Sequence, residues 1–178
     1  MRGNVRDNIR TVTITGLLTA LAIVAPLFMP KLPVPEPFSV TIASHVAVIL
    51  SMFVNPFAVV CSVIGSTIAF LNILGPIVAM RAFSHLIFTL VGYFLLKKRY
   101  NLILVILITA VLHALGEVLV VALLMPAATP TFIWGVTGGV TVLHHCFDFA
   151  IAMVIYKALS VSPNLLPLQK VNLKQFKA

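Results

Sequence analysis

Charge is what this sequence has least of. Of its 178 residues only 9% are charged, and Asp7, Glu36, Glu117 and Asp148 are the four acidic ones. A water-soluble domain carries about 25% charged residues, so the chain lacks the polar surface that keeps a fold dissolved. Cysteine is scarce too. Cys61 and Cys146 are the only two, and both fall in apolar stretches, which favours packing as small hydrophobes over a disulfide or a metal thiolate. Three chemical signatures are also missing. There is no phosphate-binding Gly-rich loop ending in Lys and Ser or Thr, so no ATP hydrolysis is expected of this chain. There is no Gly-x-Ser-x-Gly elbow. His113 and Glu117 stand in His-Ala-Leu-Gly-Glu, which is not the His-Glu-x-x-His of a zinc protease.

What is present in excess is apolar: 61% of the residues, with a mean hydropathy of +1.13. The solvent for such a chain is lipid. A crossing takes roughly 20 residues, so the length admits six or seven passes with short loops and leaves no room for a globular domain. The expected fold is an all-α integral membrane protein, a single transmembrane domain over residues 1–178. Its six transmembrane helices are expected at about 11–29, 39–54, 57–72, 77–96, 101–125 and 134–159. Proline-bearing breaks separate most of them: Pro30 to Pro37, Asn55-Pro56, Gly75-Pro76, and Pro126 to Pro130. The second and third spans are short, and either crosses with little tilt or is partly re-entrant. The first is not read as a cleaved signal peptide, because Pro26 and the run after it lack the small-residue cleavage pattern.

The net charge of +8 follows topology rather than a nucleic-acid partner. Basic residues flank the spans: Arg2, Arg6 and Arg10, then Lys97, Lys98 and Arg99, then Lys157, Lys170, Lys174 and Lys177. Short basic loops stay in the cytoplasm, and six passes place all three segments on that side, where they also meet anionic lipid. The expected location is the cell membrane, with both termini cytoplasmic. The two proline-rich outer loops, 30–38 and 126–133, are either a lid or simple connectors.

Against this background the ionisable residues inside spans stand out, since each costs at least about 2.5–3.5 kcal/mol at a helix centre. Arg81 and His85 are spaced i, i+4, as are His113 and Glu117, and His144 and Asp148 with His145 alongside; that spacing puts each pair on one helix face. His45 lies in the second span and Asn72 ends the third. Counting roughly 1.5 Å per residue, Arg81, His85, Glu117, His45 and Asn72 fall in the outer half, with His113, His144, His145 and Asp148 nearer the middle. They form a cup opening outward. Competing readings remain: Arg81 snorkelling to the interface, or the acids pairing with His and Arg only to hold the bundle. His144 and Asp148 have the spacing to share a metal, but no third ligand stands at fixed spacing. No metal and no catalytic residue is expected. An intramembrane enzyme and a small ion channel are the lesser alternatives.

These features together resemble the substrate-binding S components of energy-coupling factor (ECF) vitamin transporters. The resemblance rests on chain size, six spans, the basic arm leading into Thr15-Gly16-Leu17-Leu18-Thr19-Ala20-Leu21-Ala22, the proline-rich first outer loop, and the polar last helix with His144-His145-x-x-Asp148. It implies a non-enzymatic subunit that captures a vitamin from outside and docks on a transmembrane T subunit with two ATPases. Those partners use the ATP, so no cofactor belongs to this chain. The implied substrate-binding set is Arg81, His85, Asn72, Glu117, His45, His113 and His144. The implied docking set is Gly16, Ala20 and Ala22, although the two-alanine form Ala-x-x-x-Ala is missing. A guanidinium at the outer mouth suits a carboxylate, so pantothenate leads and nicotinate follows. If Glu117 neutralises Arg81, a neutral or larger ligand such as a cobalamin or a queuosine precursor comes into play.

Overall fold

A computed structural model describes residues 2–32 and 40–160. The chain runs as helix α1 (Arg2–Phe28), a two-residue strand β1 (Lys31–Leu32) paired antiparallel with β2 (Val40–Thr41), a short helix α2 (Val46–Ser51), then α3 (Pro56–Leu74), α4 (Pro76–Lys97) and α5 (Leu102–Leu124), and finally α6 (Val140–Ser160), entered through nine residues of π-helix (Thr131–Gly139).

The helix starts are written locally. Asn55 caps α3 by accepting from the Ala58 N–H at 2.8 Å, with Pro56 as the first helical residue. Asn101 caps α5 by accepting from the Ile103 N–H at 2.8 Å. Gly75, at φ +85°, turns the chain between α3 and α4 in a conformation that only glycine adopts freely. The start of α1 is the largest boundary difference. The helix begins at Arg2 rather than Thr11, because the basic arm continues the apolar helix without a breaking residue.

Among the described residues five helices are long and apolar enough to cross a membrane: Asp7–Phe28, Pro56–Leu74, Pro76–Lys97, Leu102–Leu124 and Thr131–Ser160. The expected span at 39–54 is not a sixth. Only Val46–Ser51 is α-helical there. At its upper end Ala43 sits in the left-handed region at φ 61°, and the Ala43 and His45 amides point to the Asp148 carboxylate instead of into a helix. At its lower end Asn55-Pro56 disfavours helix in the preceding residue.

The segment nevertheless carries the chain back through the bundle. Its start meets Asp148 and its end, Phe53, lies 4.7 Å from the Tyr156 ring, so it runs alongside α6 in the same direction. It also runs parallel to α4: His45 packs on His85, and Met52 reaches Gly92. α5 is antiparallel to both, with Glu117 opposite Arg81, Thr109 beside Gly92, and Val118 beside Gly138. The chain thus alternates direction as a multi-pass membrane protein does, with one pass made by a short helix and turns.

The core lies under this segment. Ile49, Met52, Phe53, Phe88, Leu102, Val105 and Phe149 are all fully or almost fully buried. The outward faces are apolar as well, with Ile64, Ile68, Leu119, Leu123, Leu143 and Val154 exposed. A helical bundle greasy on both sides is solvated by lipid. Its helices approach through small residues. A Cβ on Gly65 would lie 3.0 Å from Thr19 Cγ2 and 3.1 Å from Ile23 Cγ1 of α1, whereas one on Gly16 would meet nothing within 4 Å. Gly65→Leu is therefore expected to lower stability by about 1–3 kcal/mol through overpacking, while Gly16→Leu leaves the thermal unfolding midpoint in detergent unchanged. Comparing the two midpoints tests the α1–α3 contact.

Candidate functional site

Two carboxylates organise the polar interior. Glu117, on α5, holds Arg81 from α4, with Arg81 Nε and Nη2 both 2.5 Å from its Oε2. Its other oxygen faces His85 Nε2 at 3.2 Å and His113 Nε2 at 3.6 Å. Asp148, on α6, holds the turn before α2. Its oxygens accept from the Ala43 N–H at 2.9 Å, the His45 N–H at 3.1 Å and His45 Nδ1 at 3.0 Å, and His144 Nε2 lies 3.3 Å away. The His45 ring joins the two centres, with its centroid 4.5 Å from that of His85, 4.8 Å from His113 and 4.7 Å from His144. A further chain runs beneath: His113 Nδ1 to His145 Nδ1 at 3.1 Å, then His145 Nε2 to Thr109 Oγ1 at 3.0 Å. Phe88 stacks on the His113 ring, their centroids 4.6 Å apart.

All five histidines of the sequence thus converge on one place. The segment 40–54 supplies one, α4 one, α5 one and α6 two. The i, i+4 spacing on three helices brings His85, His113 and His144 there, because each pair shares a face and the three faces meet. Arg81 is only 5% exposed and Glu117 only 3%. That burial rules out the snorkelling reading, since a snorkelling guanidinium sits in water.

Thr41, Ser44, His45, Phe70, Val78, Arg81, Ala82, His85, His113, Glu117, Thr141 and His144 line a cavity. Its free space is about 30 Å3, room for a water or two. Thr41 Oγ1 is buried there without a hydrogen-bond partner.

Six of the seven expected binding residues meet in this cavity. Asn72 does not. Its side chain is exposed and bonds the Ile68 carbonyl of its own helix at 2.7 Å. The docking set divides too. Gly16 and Ala20 are exposed on α1, but Ala22 is fully buried against Ala47, Val48 and Val63, because the i+2 step from Ala20 turns it to the other face of the helix. Sequence reasoning left Asp148 and His145 outside the binding set and missed Thr41, Ser44 and Thr141. The position of Thr141, one turn before His144 in the same helix, was the readable signal. Thr41 and Ser44 gave none, because their segment reads as an ordinary span. Residues 33–39, most of the proposed first outer lid, lie outside the described residues, as do Lys170, Lys174 and Lys177.

The class that fold and site define is a multi-pass helical membrane protein with a small cavity lined by charged and imidazole side chains. Over 94 residues the chain is 36% identical to the niacin transporter NiaX of Lactococcus lactis subsp. cremoris (strain MG1363), a match that covers 52% of this chain and 42% of that protein. The chain matches less than half the length of this curated relative. No protein-family model matches it, and no solved structure does.

The ion pair makes a direct prediction. Removing one member of a buried pair costs about 3–5 kcal/mol. Glu117→Ala should lower stability by that order, seen as a large fall in the unfolding midpoint or loss of monodisperse protein. Asn72→Ala, at an exposed site, should stay within about 0.5 kcal/mol of the parent.

Proposed function

We propose that the chain is the substrate-binding subunit of an ECF-type vitamin importer, and that its vitamin is nicotinate. The observation that carries the proposal is Arg81, a buried guanidinium facing a small cavity in a chain related to a niacin transporter. A monocarboxylate satisfies Arg81 through two parallel hydrogen bonds. To do so it must take the place of Glu117, and His85 already stands against Glu117 to receive it. The imidazoles lining the cavity suit a flat heteroaromatic ring. The small free space also favours nicotinate over pantothenate, the leading expectation from sequence, because a shorter ligand parts fewer packed side chains. The relative supports the same order.

The relative is a transporter, and with it the chain reads as a transport subunit rather than an enzyme. With no ATP-binding loop in this chain, uptake falls to partners, a T subunit and two ATPases. Gly16 and Ala20 present a small-residue face on α1 where a partner helix packs closely. The basic segments, Lys97-Lys98-Arg99 among them, put both termini in the cytoplasm of a cell membrane. The cavity then lies toward the outer side, near the start of α4 and the end of α5.

A thermal-shift screen of the purified chain against water-soluble vitamins tests the substrate. Nicotinate should raise the unfolding midpoint and pantothenate should not. Arg81→Ala should abolish the nicotinate shift, since losing a buried charged hydrogen-bond partner costs about 2–5 kcal/mol; an unchanged shift would remove Arg81 from the site. Gly16→Leu should bind nicotinate normally yet fail to support uptake in cells. Normal uptake would place the docking contact elsewhere.

A further inference from the structure

The hydrogen-bond chain under the cavity allows a proton arrangement that leaves three ring nitrogens as lone pairs. The Thr109 hydroxyl donates to the Val105 carbonyl at 2.7 Å. In this arrangement its oxygen accepts from His145 Nε2–H. His145 Nδ1 is then a bare lone pair, and it accepts from His113 Nδ1–H. That leaves His113 Nε2 as a lone pair, buried, with no hydrogen-bond partner, 3.6 Å from a carboxylate oxygen. The same logic applies twice more. The Asp148 carboxylate is an acceptor, so neutral His45 donates Nδ1–H to it and keeps a lone pair on Nε2. Glu117 is an acceptor, so His85 donates Nε2–H and keeps a lone pair on Nδ1, which is also buried and without a partner. Three imidazoles thus spend their protons on outer partners and retain three lone pairs.

From this geometry we propose that His45, His85 and His113 bind one zinc-class divalent cation. Taking one ring nitrogen from each, the three donors lie within 4.8 Å of one another. Closing on an ion at the roughly 2.0–2.1 Å of a zinc–imidazole bond draws the three rings inward. Imidazole donors suit zinc, copper and nickel rather than magnesium or calcium. The outer shell is of the kind metal-bound histidines have, each ring held through its other nitrogen: His45 by Asp148, His113 by His145 and Thr109, His85 by Glu117. The negative charge of Glu117 and Asp148 offsets the cation in a medium of low dielectric. The fourth position is left for a ligand in the cavity beside Arg81. This departs from the expectation that the chain carries no metal. The i, i+4 pairs each show at most two candidate ligands, and the third arrives from a segment elsewhere in the chain. The proposal does not depend on which vitamin is carried.

The test uses the full chain purified in detergent with a tag free of histidine, and Zn2+ or Co2+ alone as probe. Calorimetry should give one Zn2+ per chain, and Co2+ should give the visible absorption of a nitrogen-ligated tetrahedral site. His113→Ala and His85→Ala should each remove the Co2+ band, and Asp148→Asn should weaken Zn2+ binding about 10–100-fold through the loosened His45 ring. Cys61→Ser and Cys146→Ser should leave it unchanged. No Zn2+ heat and no Co2+ band with monodisperse parent protein would overturn the proposal. So would a Co2+ band that persists in both histidine variants. Should a variant fail to fold, the spectrum and stoichiometry of the parent protein decide the matter.

Discussion

Everything in this bundle is arranged around a carboxylate that the surroundings cannot tolerate alone. Glu117 lies in a chain that is apolar inside and out, where the effective penalty for burying an ion is several kcal/mol. Arg81 from α4 answers the charge directly, and His85 bonds the remaining oxygen. The pairing needs α4 and α5 close together, and the helix surfaces allow it: Gly116, next to Glu117, has no side chain, and a Cβ there would stand 3.0 Å from Ser84 Oγ. The small residue and the charge pair are one device. A larger residue at 116 would push the helices apart at the point where the ions must touch.

Asp148 does for the 40–54 segment what Glu117 does for α4 and α5. It takes two backbone amides and a ring nitrogen from one turn, and so holds Ala43 in a left-handed conformation that a non-glycine residue adopts at a cost. That turn delivers His45 to the middle of the cluster. A continuous helix through 39–54 would hydrogen-bond those amides to itself, and Asp148 would lose them. The interrupted pass is thus part of how the site is assembled. Asp148 is consequently a holding residue, and in the proposed function Glu117 is the one that yields Arg81 to an incoming ligand.

Much of this was legible before the structure. Composition fixes the solvent as lipid, and Asn55-Pro56, Gly75-Pro76 and Asn101 mark helix starts because capping and proline chemistry is local. The i, i+4 pairs name their faces because helix geometry is periodic. What could not be read is where chemistry is non-local. Whether 39–54 is a long helix depends on Asp148, about a hundred positions away in the chain. Asn72 has the polarity of a site residue, yet its helix face turns it outward. Ala22 has the size of a docking residue but lies on the packed face of α1. The π-helix at Thr131–Gly139 is equally silent in the sequence, although Gly135, Gly138 and Gly139 remove the side chains that resist loose winding. The convergence of all five histidines required three helices and one turn to be placed together, which no single stretch of sequence encodes.

The account turns on one exchange: a ligand carboxylate replaces Glu117 on Arg81. Nicotinate and nicotinamide share a ring and differ in the group that would make that exchange, so calorimetric titration of the purified chain with each is the most direct test. The account predicts saturable binding of nicotinate at one site, and binding of nicotinamide weaker by about 10-fold or more, the worth of a charged hydrogen bond. Equal affinity for the two, or no binding of nicotinate, would contradict it.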